Sequence, residues 1–201
     1  MNLPSRTECL RVLKEYNTPQ NIVRHSLAVN KAANYLAERF LAHKIPVNAE
    51  LIDRGSLLHD VLRVCDIHGD IYFFMDEADK TEEKKKIYQK QREQYAGQHH
   101  AEATAGLFQD QYPELANVIR KHRLSAIVKG QLTTWEEKIV YYADKRVNHD
   151  KIVTLDGRMV EGKKRWHIKR NQEESDLIMN KMKELEKEIF QAINEDPNAL
   201  H

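Results

Sequence analysis

Apolar residues in this chain recur at three- and four-residue steps and nowhere alternate over a length that would build a sheet, which confines the fold to packed helices. The clearest stripe is Ile22, Ser26, Val29, Ala33, Leu36 and Phe40, preceded by Thr18-Pro19, a pair suited to the N-cap and first position of a helix. Ser5-Arg6-Thr7-Glu8 and Thr134-Trp135-Glu136-Glu137 are capping-box patterns, each of which satisfies two helix-terminal N–H groups reciprocally. The first starts a helix with Leu10, Leu13 and Tyr16 inward; the second opens a segment in which Val140, Asp144 and Val147 share a face. Asn48 caps a third helix, marked by Leu51, Leu58 and Leu62, on which His59 and Asp60 are expected to lie. Another helix carries His100, and Pro113 opens one in which Leu115, Val118, Ile119 and His122 share a face. From about Glu173 to Asn194 the stripe Ile178, Met182, Leu185, Ile189 and Ile193 predicts a last amphipathic helix that packs on the domain, while also admitting a homodimer. The expected class is all-α, with residues 1–201 forming a single domain, because no Gly/Ser- or Pro-rich linker and no internal repeat divides them.

Charge enters where partners are concerned. The 32 Lys plus Arg against 31 Asp plus Glu leave no global field to attract nucleic acid or a membrane. No apolar run approaches the roughly 20 residues needed to span a bilayer, and the N-terminus, with Arg6, Glu8, Arg11 and Lys14, lacks a secretory apolar segment. Cys9 and Cys65 stand far apart in no metal-type spacing, which fits a reducing cytoplasm. The charged stretch from Asp76 to Gln94 reads as a solvated helix or an excursion from the domain. Lys163-Lys164-Arg165-Trp166-His167-Ile168-Lys169-Arg170 places a tryptophan inside a basic cluster, as single-strand-binding surfaces do, but the acidic residues from Glu173 onward offset its charge. Nucleic acid is accordingly the minor reading.

Against this helical background one ordered set of polar residues stands out: His25, then the adjacent His59-Asp60, then His100, His122 and Asp144. An aspartate between apolar neighbours, as Asp144 is, costs several kcal/mol to bury unless it is paired or bound to a metal. Imidazole nitrogens and carboxylate oxygens suit Mn, Fe, Co, Ni, Zn and also Mg, and no cysteine pulls the choice toward a structural sulfur site.

The order H…HD…H…H…D resembles the HD-domain metal-dependent phosphohydrolase superfamily, a helical fold named for its adjacent His-Asp ligands. Leu57-Leu58-His59-Asp60-Val61 resembles that family's "LLHDI", His100-Ala101-Glu102 its "H-x-E" helix start, and Glu137-Lys138-Ile139-Val140-Tyr141-Tyr142-Ala143-Asp144-Lys145 its "EKIIYLADK". The likeness covers about 22–150 and leaves 151–201 as a C-terminal extension. It implies an HD-type helical bundle in which His25, His59, Asp60 and Asp144 hold a first divalent cation. It further implies that His100 and His122 hold a second cation or substrate phosphate, with Asp60 as the bridge.

The activity so implied is hydrolysis of a phosphoester or phosphoanhydride in a small phosphorylated substrate, a nucleotide, by metal-activated water. Asp60, Arg63 and Lys145 are then the catalytic candidates, and Arg63, His100, His122, Lys145 and Arg146 the groups that meet substrate. Alternatives are a silent metal- or nucleotide-binding regulatory module and an enzyme acting on RNA or DNA. The chain departs from the pattern at Arg63-Val64, where some members carry acids that help activate water; Asp66 and Asp70 are candidates to replace them.

Overall fold

A computed structural model describes residues 2–67, 69–165 and 172–200. Ten α-helices follow one another along these residues: α1 (Arg6–Glu15), α2 (Gln20–Ala42), α3 (Ala49–Leu58), α4 (Glu82–Gln94), α5 (His100–Gly106), α6 (Pro113–Arg120), α7 (Leu124–Val128), α8 (Trp135–Lys145), α9 (Leu155–Arg165) and α10 (Gln172–Ala192). Strand content is limited, among the described residues, to an antiparallel pair of two-residue strands, β1 (Val147–Asn148) and β2 (Lys151–Ile152). The fold is all-α.

Local chemistry accounts for most helix starts. Both capping boxes form: Glu8 accepts from the Ser5 N–H at 2.6 Å while Ser5 Oγ accepts from the Glu8 N–H at 3.2 Å, and Thr134 with Glu137 repeats the arrangement at α8. Asn48 caps α3 through the Leu51 N–H at 3.0 Å. Thr18 departs from its expected role. Its buried hydroxyl donates to the Val61 carbonyl at 3.2 Å, and the open N-terminus of α2 is met by Asp79, whose carboxylate accepts from the Gln20 N–H at 2.6 Å. A carboxylate there answers both the orphan N–H and the positive end of the helix dipole.

Helix α3 is the centre of the bundle, packed by α1, α2, α6 and α8. Ile52, Leu57 and Leu58 on it are fully buried. Gly55 lets α6 come close, since a Cβ at that position would stand 2.8 Å from Val118 Cγ1. The α2 stripe forms as read, with Val29, Ala33, Leu36 and Phe40 buried and the Phe40 ring set edge-on to Trp135 at 4.7 Å. The charged segment is tied down by one turn of its helix, where Tyr88 of α4 is fully buried among Val64, Ile71 and Met75. In α10 the predicted stripe Ile178, Met182, Leu185 and Ile189 is buried against the domain, joined by Ile193 just past the helix end. Helix α9 was not expected from the sequence, and residues 166–170 of the basic cluster lie outside the described residues.

Beneath the N-terminal helix lies a polar network that periodicity does not reveal. Asp53 accepts from Asn30 at 3.0 Å and Asn34 at 2.8 Å and pairs with both Arg6 and Arg54. Burial by itself would raise the Asp53 pKa, but the bonds from Asn34, Asn30, Arg6 and Arg54 prevail and hold it below the usual carboxylate value. Because the folded-state pKa is the lower one, this contribution is present above the unfolded value of about 3.9 and disappears as pH falls through the folded one. Asp53→Ala should therefore cost roughly 3 kcal/mol by urea denaturation near pH 7, as expected for a buried pair that loses one partner. The difference from wild type should shrink below pH 4, and a loss that stays constant with pH would contradict this account.

Candidate metal centre

The site residues arrive from six places. His25 projects from the second turn of α2, and Asp144 from the last turn of α8. His59 and Asp60 lie not on α3, as the apolar pattern suggested, but immediately beyond its last residue, Leu58, with His59 as the C-cap. There the chain turns into a 3₁₀ segment at Arg63–Asp66, which carries Arg63 and Asp66 toward the same region. His100 is the first residue of α5, whose N-cap is His99. His122 follows the C-cap of α6, two residues past its helix.

The backbone settles how each ring is turned. His59 Nδ1 lies 2.7 Å from the Ser56 carbonyl, His122 Nδ1 is 2.6 Å from the Ile119 carbonyl, and His25 Nδ1 is 2.8 Å from the carbonyl of His149. Carbonyl oxygens only accept, so each Nδ1 carries the proton. His149 has a left-handed backbone (φ 57°) in the turn between β1 and β2, so this small hairpin brings its carbonyl to His25. The fourth ring, His100, has its Nδ1 2.6 Å from Asp66 Oδ2. All four histidines thus anchor one nitrogen outward and direct Nε2 inward, the arrangement by which outer partners orient metal-binding imidazoles.

The inward atoms form two groups. His25, His59 and Asp144 offer ligand atoms within 4.8 Å of one another, and so do Asp60, His100 and His122. Asp144 Oδ1 is 3.1 Å from His25 Nε2 and 3.7 Å from His59 Nε2, while its Oδ2 is held by Lys145 at 2.5 Å. Asp60 faces both groups. Its Oδ1 is 3.2 Å from His100 Nε2 and 3.4 Å from His122 Nε2, and its Oδ2 is 3.7 Å from His59 Nε2.

These donors fit a cation on two observations. His59 Nε2 is buried and has no hydrogen-bond partner, an arrangement that costs about 1–3 kcal/mol unless something binds there. His100 Nε2 and His122 Nε2 stand 3.0 Å apart. With both protons on Nδ1, two lone pairs face each other across that gap, which a proton or a cation between or beside them would relieve. Nitrogen and carboxylate oxygen without sulfur suit a divalent transition ion, and Mg less well.

Burial and charge pull the titrations apart. Burial lowers the pKa of His59 to about 4, outweighing Asp60 and Asp144, and it lowers that of His122 as well. Burial would raise Asp60 and Asp144, but the imidazoles around Asp60, and Lys145 and His25 beside Asp144, hold both carboxylates well below their usual range. Asp66, also desolvated, is held at about 2 by His100 and Arg63. Burial opposes a charge on His25, yet the Asp144 carboxylate raises its pKa above the ordinary 6.5.

The cationic candidates separate. Lys145 bridges Asp144 and the His122 carbonyl, which it reaches at 3.1 Å, so it holds two ligand-bearing segments together. Arg63 pairs with Asp66 and stands 3.5 Å from His100 Nδ1. Arg146, expected to meet substrate, is occupied elsewhere: its buried guanidinium donates to the Val153 carbonyl at 2.5 Å, to the Pro197 carbonyl at 3.2 Å and to the Tyr142 hydroxyl. One residue beyond Lys145 it leaves the site face of α8 and anchors the C-terminal segment. Asp66 was legible only as a carboxylate near the motif; its bond to His100 depends on the 3₁₀ turn.

A cation held here would compete with protons for the same atoms. The protonated form of His25 paired with Asp144 stabilises the cation-free fold below the unfolded pKa of about 6.5, and that contribution is lost as pH rises through the raised folded value. Mn²⁺ affinity measured by calorimetry should rise with pH through that range, with a binding enthalpy that varies with buffer because a proton is released. His59→Ala should weaken the tighter ion roughly 100-fold or more, beyond the 10–100-fold typical of losing an outer partner. Affinity that ignores both pH and His59 would contradict the assignment.

Comparison with known proteins adds one relative. Over 153 residues the chain is 28% identical to a tRNA (cytidine(56)-2'-O)-methyltransferase of Picrophilus torridus. The match takes in 76% of this chain and 39% of the relative, so the chain spans about two fifths of that protein's length. No family model matches, and no solved structure matches. This relative corrects the sequence-based activity: the expected metal-dependent phosphohydrolase of the HD superfamily, a hydrolase of small nucleotides, is overturned by a relative whose named reaction is methyl transfer to tRNA.

Proposed function

We propose that this chain is a metal-binding helical module that serves RNA 2'-O-methylation, with tRNA as its ligand and one or two divalent transition ions in the His/Asp centre. The observation that carries the metal half of this reading is the set of inward Nε2 atoms, above all the unpartnered His59 Nε2. The RNA half rests on the named substrate of the relative. Likeness to the HD superfamily is kept as a proposal about ancestry of the cage, not about its chemistry. Most of the relative's length lies outside the match, so methyl transfer itself is not assigned to this chain.

A divalent ion held here would supply positive charge and Lewis acidity toward a phosphate or hydroxyl oxygen. The residues of the chain contribute orientation. His25, His59 and Asp144 would hold one ion, Asp60, His100 and His122 the other, and Asp60 has an oxygen toward each. The cage is not sealed, since the side chains of Arg63 and Lys145 beside it keep about a fifth of their surface in solvent. An anionic backbone can therefore approach. The basic run Lys163 to Arg170 read from the sequence suits the same partner. No helix among the described residues is long and apolar enough to cross a membrane. With Cys9 and Cys65 both free and buried, we place the protein in the cytoplasm.

Fluorescence-polarisation titration of tRNA at low salt tests the reading. Mn²⁺-loaded protein should bind at least 10-fold tighter than protein treated with chelator, and His59→Ala should erase that difference. Equal binding with and without the ion would contradict the proposal. Methyl transfer to tRNA from S-adenosylmethionine by this chain alone would replace the module with an enzyme, and turnover of phosphoesters by the loaded protein would contradict a role in RNA methylation.

A further inference from the structure

Three of the four inward-turned imidazoles lean on neutral backbone carbonyls; His100 alone leans on a carboxylate. We propose that the Arg63–Asp66 pair positions His100 and thereby decides whether the second cation, at Asp60, His100 and His122, is held, an inference that rests on the metal half of the reading above.

Three contacts define the device. Asp66 Oδ2 accepts from His100 Nδ1 at 2.6 Å and also from the His100 backbone N–H at 3.0 Å, so one oxygen fixes both the ring and the first residue of α5. Asp66 Oδ1 is taken by Arg63, whose Nη1 lies 3.5 Å from His100 Nδ1. A carboxylate on Nδ1 makes Nε2 a stronger donor than a carbonyl does and adds negative charge behind the ligand. The cation position nearest it therefore gains attraction that the His25, His59, Asp144 position lacks. Arg63 has a separate part. Asp66, His99 and His100 could themselves present ligand atoms within 4.8 Å of one another, and the guanidinium occupies the oxygen that would otherwise turn toward an ion. It keeps Asp66 an outer partner.

Asx-type end-capping is the competing structural explanation, because Asp66 also satisfies an N–H at the start of α5. The two explanations part on which ion responds. In Asp66→Asn one amide oxygen can still accept from His100, so the fold survives, but the charge is gone and the amide NH₂ faces Arg63. Arg63→Gln keeps Asp66 and frees its second oxygen.

The test is Mn²⁺ titration of the full chain followed by calorimetry, electron paramagnetic resonance and thermal melting. Wild type should bind two ions and show the exchange-coupled signal of a neighbouring pair. Asp66→Asn should keep the first ion's affinity and the melting temperature while weakening the second ion 10–100-fold, with loss of the coupled signal. Arg63→Gln, which leaves the Asp66 charge in place and removes a positive one beside it, should change the second ion's affinity less than Asp66→Asn does. Two ions bound by Asp66→Asn as tightly as by wild type would overturn the positioning role, as would equal loss of both ions together with a lowered melting temperature, the signature of a cap. Wild type that binds a single ion would remove the second position and this inference with it. Wild type that binds none would remove the metal centre itself.

Discussion

A carboxylate taken out of water must be met by positive charge or by donors, and the core of this protein is arranged around two that are. Asp60 and Asp144 stand among helices whose neighbouring faces are apolar, with side chains only 9% and 11% exposed. Desolvation at such places costs several kcal/mol per charge. Their compensation comes from four imidazoles and Lys145, carried by segments that are far apart in the chain. Each segment brings its own anchor: Ser56 for His59, Ile119 for His122, the β1–β2 turn for His25 and the 3₁₀ turn for His100. The helices are the scaffold, and their ends are the site.

That division explains the role of the packing. Gly55 brings α3 against α6, and His59 and His122 follow just past the ends of those same two helices with ring centroids 5.0 Å apart. Lys145 then ties α8 to the His122 carbonyl, and Arg146, next to it, ties α8 to the C-terminal segment. Two adjacent basic residues thus perform different tasks because successive positions on a helix are about 100° apart. The polar network at Asp53 fastens α1 to α2 and α3.

Much of the fold was legible because burial imposes a period on a helix: Val29, Ala33, Leu36 and Phe40 declared α2, and Ser5, Asn48 and Thr134 declared three helix starts. The same logic misplaced His59 and Asp60, since a 100° step extended from Leu58 cannot reveal that the chain leaves the helix there. Thr18-Pro19 misled for a related reason: the cap that α2 uses, Asp79, is distant in sequence. Asp53 and Asp66 were hard to read because an acid wholly or partly buried carries no period, and its partners appear only in three dimensions. The metal-type set was legible as a list of residues, whereas Arg146 differed from Lys145 only in space. Activity was the least legible part, since a His/Asp cage serves several chemistries, and the relative that overturns hydrolysis is named for methyl transfer to tRNA.

Whether a cation sits where the Nε2 atoms converge is the point on which the account stands. Anomalous X-ray diffraction at the manganese edge, from crystals of the full chain grown with Mn²⁺, tests it most directly. The expected result is a peak bonded to His25 Nε2, His59 Nε2 and an Asp144 oxygen at the ~2.0–2.2 Å typical of nitrogen and carboxylate ligands, with Asp60 turned toward it. A cluster that holds only protons and water under those conditions, with His59 Nε2 satisfied by a water molecule, would contradict it.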